Sequence, residues 1–330
     1  MTNETVLEVK HLKTYFYTEE GIVPAVDGLD FTLSKGETLA IVGESGCGKS
    51  VTSLSILRIV PMPPGKIIDG EILYKGEDLL KKTEKEMRAI RGNQISMIFQ
   101  EPLTSLNPVF TIGNQIIEIL CRHQGLKKAV AREKAIDMLR QVRIPAPEKV
   151  IDDYPHQLSG GMRQRVMIAM ALSCNPGILI ADEPTTALDV TIQAQIMHLL
   201  ADLKKKLDTS IILITHDLGV VANIAENVMV MYAGEAVEYA DVNKLFKKPL
   251  HPYTIGLLKS LPVIGEDKDS LYSIKGNVPS PKDYPEGCRF SPRCEEVCNK
   301  CMKEKPPLIE LDNGRKVRCW KYVEGGMDNE

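Results

Sequence analysis

The sequence has no surplus of charge of either sign: 41 Lys and Arg stand against 44 Asp and Glu, a formal charge of -3 at neutral pH. That balance excludes a chain that grips nucleic acid through bulk positive charge, so no nucleic-acid partner is expected. Also missing is an uncharged run long enough to cross a bilayer as a helix, which takes roughly 20 mostly apolar residues. Pro102–Ile117 and Val166–Ala181 reach 16 residues each and are broken by Asn107-Pro108 and Asn175-Pro176. The opening MTNETVLEVK lacks the basic and long apolar character of a secretory signal, so the chain is expected in the cytosol, meeting a membrane only peripherally. Internal repeats and low-complexity tracts are absent. With 43% hydrophobic and 26% charged residues over 330 positions, composition excludes a disordered, collagen-like or small disulfide-stapled protein and leaves room for about two domains.

What is present begins with a strand, a glycine-rich loop and a helix. From Thr38, TLAIVG is apolar and β-branched; GESGCGKS follows, then the helix-like VTSLSILRIV. Further strands are expected at Ile178–Ala181, Ser210–Thr215 and Val228–Tyr232, and Thr191–Leu207 places Ile192, Ile196, Leu199, Leu200, Leu203 and Leu207 on one helical face. Parallel strands with crossover helices put functional residues at the strands' C-terminal ends. Asn107–Ser173 reads as an inserted helical subdomain, most clearly in AREKAIDMLRQV. Composition shifts near Lys247, and His251–Glu330 is proline-rich with little periodicity after Leu261. The expected organisation is an α/β domain over 1–250, with a helical subdomain about 107–173, and a small loop-rich unit over 251–330 for which a metal staple is plausible.

Gly43-Glu-Ser-Gly-Cys-Gly-Lys49-Ser50 matches G-x-x-x-x-G-K-[ST]. In this pattern backbone N–H groups turn inward around phosphate oxygens, Lys49 reaches the β/γ-phosphates, Ser50 ligates Mg²⁺ and the following helix adds positive potential. The expected nucleotide-binding positions are Gly43, Ser45, Gly46, Cys47, Gly48, Lys49, Ser50 and Val51. GILIADE delivers Asp182 to the Mg²⁺ shell and sets Glu183 beside it, where a carboxylate can orient or deprotonate the attacking water. In LSGG, Ser159 can cap a helix while Gly160 and Gly161 leave N–H groups open to an anion.

The order of these motifs resembles the ATP-binding-cassette (ABC) ATPases over roughly Leu7–Lys248. Gln100 after ISMIF, Asp189 in ALD and His216 ending IILIT complete the likeness. The resemblance implies ATP hydrolysis, with ATP held between the phosphate loop of one subunit and the LSGG segment of another. It also implies that Gln100 senses the γ-phosphate, joins Ser50 and Asp182 around Mg²⁺ and couples to membrane subunits, that His216 positions the phosphate and the water, and that Asp189 belongs to the nucleotide site. An aromatic near the start stacks on adenine in this family; Phe16 is the first choice and Tyr15 the second.

HPYTIGLLKSLP from His251, IKGNVPSP, EPLTSLNP and the cysteine-rich end are similar to the ATPase subunits of oligopeptide, dipeptide and nickel importers. His251 itself is expected to be structural. That branch implies two integral-membrane permease subunits, a second, related ATPase chain, and indirectly an extracytoplasmic peptide-binding protein, with nickel as the alternative solute. A soluble iron–sulfur ABC ATPase of ribosome recycling would carry two cassettes with its cysteines first, and a DNA-repair ATPase would split Gly43–His216 with coiled coils or zinc modules.

Of eight cysteines, Cys47, Cys121 and Cys174 are scattered and five fall within the last 43 residues, spaced C-x5-C-x3-C-x2-C-x17-C. In a reducing cytosol such a cluster reads as metal-binding before it reads as disulfides. Four thiolates without His suit zinc or an iron–sulfur cluster. The family pattern GC-x-F-x-x-RC, then six residues, then Cys followed by a PPL segment, maps the ligands onto Cys288, Cys294, Cys301 and Cys319, leaves Cys298 over, and the resemblance implies a 4Fe–4S cluster, with zinc as the alternative.

Overall fold

The computed structural model describes residues 4–100, 105–186, 188–261, 272–311 and 314–323. Residues 101–104 of the EPLTSLNP segment lie outside the described residues. In chain order the strands are β1 (Thr5–Thr18), β2 (Gly21–Ser34), β3 (Thr38–Val42), β4 (Gly65–Tyr74), β5 (Glu77–Asp78), β6 (Ile95–Ile98), β7 (Ile178–Asp182), β8 (Ser210–Ile214), β9 (Asn227–Tyr232), β10 (Glu235–Asp241), β11 (Ile309–Leu311) and β12 (Arg315–Val317). Contacts divide the chain into two units, one of residues 1–6, 33–38 and 78–214, the other of residues 7–32, 39–77 and 215–330.

In the first unit β6, β7 and β8 run parallel, with Ile98 opposite Ala181 and Asp182 opposite Ile214. Every residue of β7 and β8 is buried, the pattern of a parallel sheet covered on both faces. Helices Ile112–Gln124, Lys128–Gln141 and Gly160–Leu172 pack against one another in the stretch read as helical from sequence. Helix Val190–Leu207 buries Ile196, Met197, Leu199, Leu200 and Leu203, while Ile192 and Leu207 of the expected face sit half-buried at its two ends.

The second unit holds a sheet in the order β2-β1-β4-β5, with β1 and β4 antiparallel, and a run of strands in the order β11-β12-β10-β9-β3. In that run β3 and β9 are parallel and the remaining pairs antiparallel. β10 is not apparent from sequence, and β11 and β12 come from the loop-rich tail, which returns to lay Val317 opposite Glu238. Val42, Val230, Tyr232, Val237, Leu245, Tyr253 and Phe290 are buried in one apolar cluster, with Cys288 and Cys294 packed on it. The tail therefore shares a core with the strand that carries the phosphate loop. The helix after that loop, Lys49–Ile56, is shorter than expected because Arg58 adopts a left-handed backbone, φ 53°, which a helix cannot continue through. Among the described residues no helix is long and apolar enough to cross a membrane.

Candidate functional site

The phosphate loop leaves β3, whose five residues are all buried, and its turns admit glycine alone. A Cβ on Gly43, at φ +151°, would lie 2.2 Å from the Met231 carbonyl oxygen; one on Gly48, at φ +101°, would lie 2.2 Å from that of Ala25. Backbone thus clamps the loop from both sides, and the Gly234 N–H donates to the Cys47 carbonyl at 3.0 Å. Lys49 opens the following helix at 6% exposure, and its ammonium donates to the carbonyls of Gly43 at 2.8 Å and Glu44 at 3.0 Å. Ser45 and Gly46 form the exposed tip, with Ser50 and Val51 half-buried in the first helical turn. Burial pushes the Cys47 thiol up despite the nearby Lys49 charge, so it is a packed, protonated side chain. His216 is exposed and follows Thr215, whose N–H donates to Ile41 of β3 at 3.3 Å, two residues before Gly43.

In the first unit, parallel pairing of β6 with β7 delivers Gln100 and Glu183 to the same edge. The Gln100 amide Nε2 donates to Glu183 Oε2 at 3.1 Å, and the Thr186 hydroxyl donates to that oxygen at 2.9 Å. Glu183 sits at φ +45°, in the left-handed region that disfavours a side chain by about 1–2 kcal/mol, and its N–H is held by the Ile214 carbonyl at 2.9 Å. A strained, hydrogen-bonded carboxylate at a strand end is the kind of feature that gathers at functional sites. Asp182, one residue earlier, is 4% exposed.

Ser159 is exposed and caps helix Gly160–Leu172, its hydroxyl accepting from the Met162 N–H at 3.3 Å. Gly161 is crowded, since a Cβ there would lie 3.1 Å from Ile192 Cγ2. Asp189 caps helix Val190–Leu207, accepting from the Ile192 N–H at 2.9 Å. On β1, the Tyr15 hydroxyl donates to Asp27 at 2.8 Å; burial and that bond push its phenol up to about 12. Phe16 is half-buried opposite Gly65 of β4.

In the tail, Cys288, Cys294, Cys301 and Cys319 line one pocket with His251, Phe290 and Trp320. Cys298 lies beside it, its sulfur 3.2 Å from that of Cys301. All eight cysteines are free thiols. Burial pushes Cys288 up to about 12, with the neighbouring thiols adding to the effect, and burial likewise pushes Cys301 up to about 11. Among the described residues no three His, Cys, Asp or Glu side chains converge to hold a single metal ion. His251 is a cap: its Nδ1 accepts from the Tyr253 N–H at 3.1 Å, and burial together with the Arg318 charge lowers its imidazole to about 3. A neutral ring is what an acceptor in that position requires.

Residues 26–186 match the family described as ABC transporter, and residues 237–301 match the oligopeptide/dipeptide transporter C-terminal region. Oligopeptide transport ATP-binding protein AppD of Bacillus subtilis is 57% identical over 324 residues, 98% of this chain and 99% of that protein. The chain belongs to the ATP-binding subunits of oligopeptide/dipeptide ABC transporters. Oligopeptide transport ATP-binding protein OppD of Bacillus subtilis is 52% identical over 316 residues, 96% of this chain and 88% of that protein. A dimeric post-hydrolysis structure of the ATP-binding cassette MJ0796 bound to ADP and Pi superposes with a TM-score of 0.64 at 28% identity, covering 72% of this chain and 98% of that one. Thr186, Glu44, Tyr253 and Arg293 also belong to these sites, by contacts that their local sequence patterns do not announce. Arg293 stood inside the quoted cysteine motif, so its signal was present; the partner it meets, Glu44, is 249 residues away.

Proposed function

We propose that this chain hydrolyses ATP at the cytoplasmic face of a membrane and drives import of dipeptides or longer peptides through two permease subunits it does not contain. The observation that carries this reading is the phosphate loop Gly43–Ser50, clamped so closely by Met231 and Ala25 that only glycine fits its turns, with the buried ammonium of Lys49 inside it. Lys49 binds the β/γ-phosphates. Ser50, Gln100 and Asp182 would hold Mg²⁺, which when bound neutralises charge on the β- and γ-oxygens. Glu183, oriented by Gln100 and Thr186, takes a proton from the attacking water, and His216 positions the γ-phosphate.

Phe16 stacks on adenine, since the Tyr15 hydroxyl is engaged by Asp27. Ser159, Gly160, Gly161 and Asp189 serve the ATP of a second, related ATPase chain; the exposure of Ser159 at a helix start and the dimeric state of the cassette MJ0796 support this. Exposed Val109 and Phe110 beside a groove lined by Ile117, Cys121 and Arg132 support permease docking on the helical subdomain. Cys288, Cys294, Cys301 and Cys319 hold a 4Fe–4S cluster. Their shared pocket supports a common site, and four thiolates without His suit zinc as the alternative.

The test of the ATPase is Glu183→Gln, which keeps ATP affinity and lowers hydrolysis by about 10²–10⁴-fold. Wild-type turnover in that variant rejects the assigned base. For the cluster, anaerobically purified protein contains iron and sulfide, and stoichiometric zinc without iron rejects the assignment.

A further inference from the structure

The cysteine motif GC-x-F-x-x-RC contains two further residues, Phe290 and Arg293, that connect the tail to the nucleotide loop, one through Tyr253 and one directly. Phe290 packs on Tyr253, ring centroids 5.5 Å apart, and the Tyr253 hydroxyl accepts the Glu44 N–H at 2.9 Å. Arg293 goes further and reaches the loop itself. Its Nη1 and Nη2 donate to the two Glu44 carboxylate oxygens at 2.7 and 3.1 Å, and the side chain is 5% exposed. The guanidinium arrives already oriented, because Nε donates to the Lys275 carbonyl at 3.1 Å and Nη2 approaches the Ile274 carbonyl at 3.4 Å. Burial opposes the guanidinium charge, and the Glu44 carboxylate together with the Tyr232 hydroxyl outweighs that cost.

Glu44 is the second residue of a loop that must accept a polyanion. An uncompensated carboxylate there repels phosphate, and its freedom to swing would loosen the turn whose N–H groups bind it. We propose that Arg293 is a positioning residue for ATP binding: by neutralising and anchoring Glu44 it holds the phosphate loop ready, so that the cysteine-rich tail sets the affinity of the nucleotide site. The inference rests on the ATP-binding reading above.

The test uses the full-length chain, with the dissociation constant for Mg–ATP and the KM and kcat of hydrolysis measured for Arg293→Met, Arg293→Lys, Glu44→Gln and the Arg293→Met/Glu44→Gln pair, alongside Lys49→Ala. Loss of a charge-assisted bidentate contact predicts that Arg293→Met raises Kd and KM by about 10-fold or more while kcat changes little. Arg293→Lys, which keeps the charge without the fork, falls between. Glu44→Gln restores much of the affinity lost in Arg293→Met, because the repelling charge is gone. A purely structural arginine would lower thermal stability without that rescue. Unchanged Kd in Arg293→Met, or a loss that Glu44→Gln does not relieve, overturns the inference. Should Arg293→Met fail to fold, the rise in KM of Arg293→Lys must be relieved by Glu44→Gln in the same way. Unchanged ATP binding in Lys49→Ala instead overturns the nucleotide reading itself and the inference with it.

Discussion

Around the phosphate loop, backbone presses on backbone: Gly43 against Met231, Gly48 against Ala25, the Gly234 N–H on the Cys47 carbonyl. In the cysteine-rich tail of the same unit, side chains carry the load. Phe290 fills the core beside Tyr232 at 5.2 Å and Tyr253 at 5.5 Å, Arg315 meets the fully buried Glu238 at 2.7 Å, and Arg289, Lys305 and Arg318 surround Glu235. A steric clamp leaves no intermediate state, since a methyl group either fits or displaces backbone. A network of buried pairs and rings weakens piece by piece, although removing one partner of a buried pair is costly. The loop should therefore respond to substitution in an all-or-none way and the tail in a graded one.

The largest effect is expected for Gly43→Ala. Its Cβ would clash with the Met231 carbonyl and its φ of +151° disfavours a side chain, so the loop must distort and ATP affinity should fall by about a hundredfold or more. An ATP titration of the folded variant near wild-type affinity would break the steric account. Next comes Phe290→Ala, which removes a buried ring and should lower unfolding stability by about 3–5 kcal/mol, with a smaller loss of ATP affinity transmitted through Tyr253. Denaturant unfolding measures the first and nucleotide titration the second; an unaltered stability would mean the tail is not held by its core.

A smaller, pH-dependent effect belongs to His251. Its folded-state value is lowered from 6.5 to about 3, chiefly by burial, so the unfolded chain takes up a proton that the folded chain refuses. The stability this neutral cap contributes is complete above about pH 6.5 and is lost as pH falls toward about 3. In His251→Asn, where an amide oxygen can still accept the Tyr253 N–H, the fall in stability over that window should flatten; an unchanged slope would assign it to other groups. The smallest effect is expected for Cys298→Ser, which should leave iron content and stability as in the wild type while Cys288→Ser loses both. Equal losses from the two would sharpen the comparison differently, by making the cysteine outside the pocket a ligand.

The sites differ in how far they could be read from the chain. The stretch Thr38–Ser50 is legible because strand, glycine turn and helix are contiguous and each has its own local pattern. Asp182 and Glu183 are legible for the same reason, at the end of an apolar run. The hydrogen bonds that orient Glu183 are not: Gln100 lies 83 residues away and meets it because β6 and β7 pair in a particular parallel register. Thr186 is close in chain but turns back only because Glu183 adopts its left-handed backbone. The capping role of Ser159 on helix Gly160–Leu172 is legible in LSGG, whereas Asp189 is read as a site residue by resemblance and only the fold shows that it caps helix Val190–Leu207.

By itself the sequence determined the family, the phosphate loop, the acidic strand end and the crowding of cysteines in the tail, since these depend on residue types at short, fixed spacings. Only the tertiary structure decided that β11 and β12 rejoin β10, that four cysteines face one pocket with Cys298 at its side, and that Arg293 reaches Glu44. Such contacts arise where distant segments bury a common core, and their specificity lies in the geometry of packing, which no local spacing records.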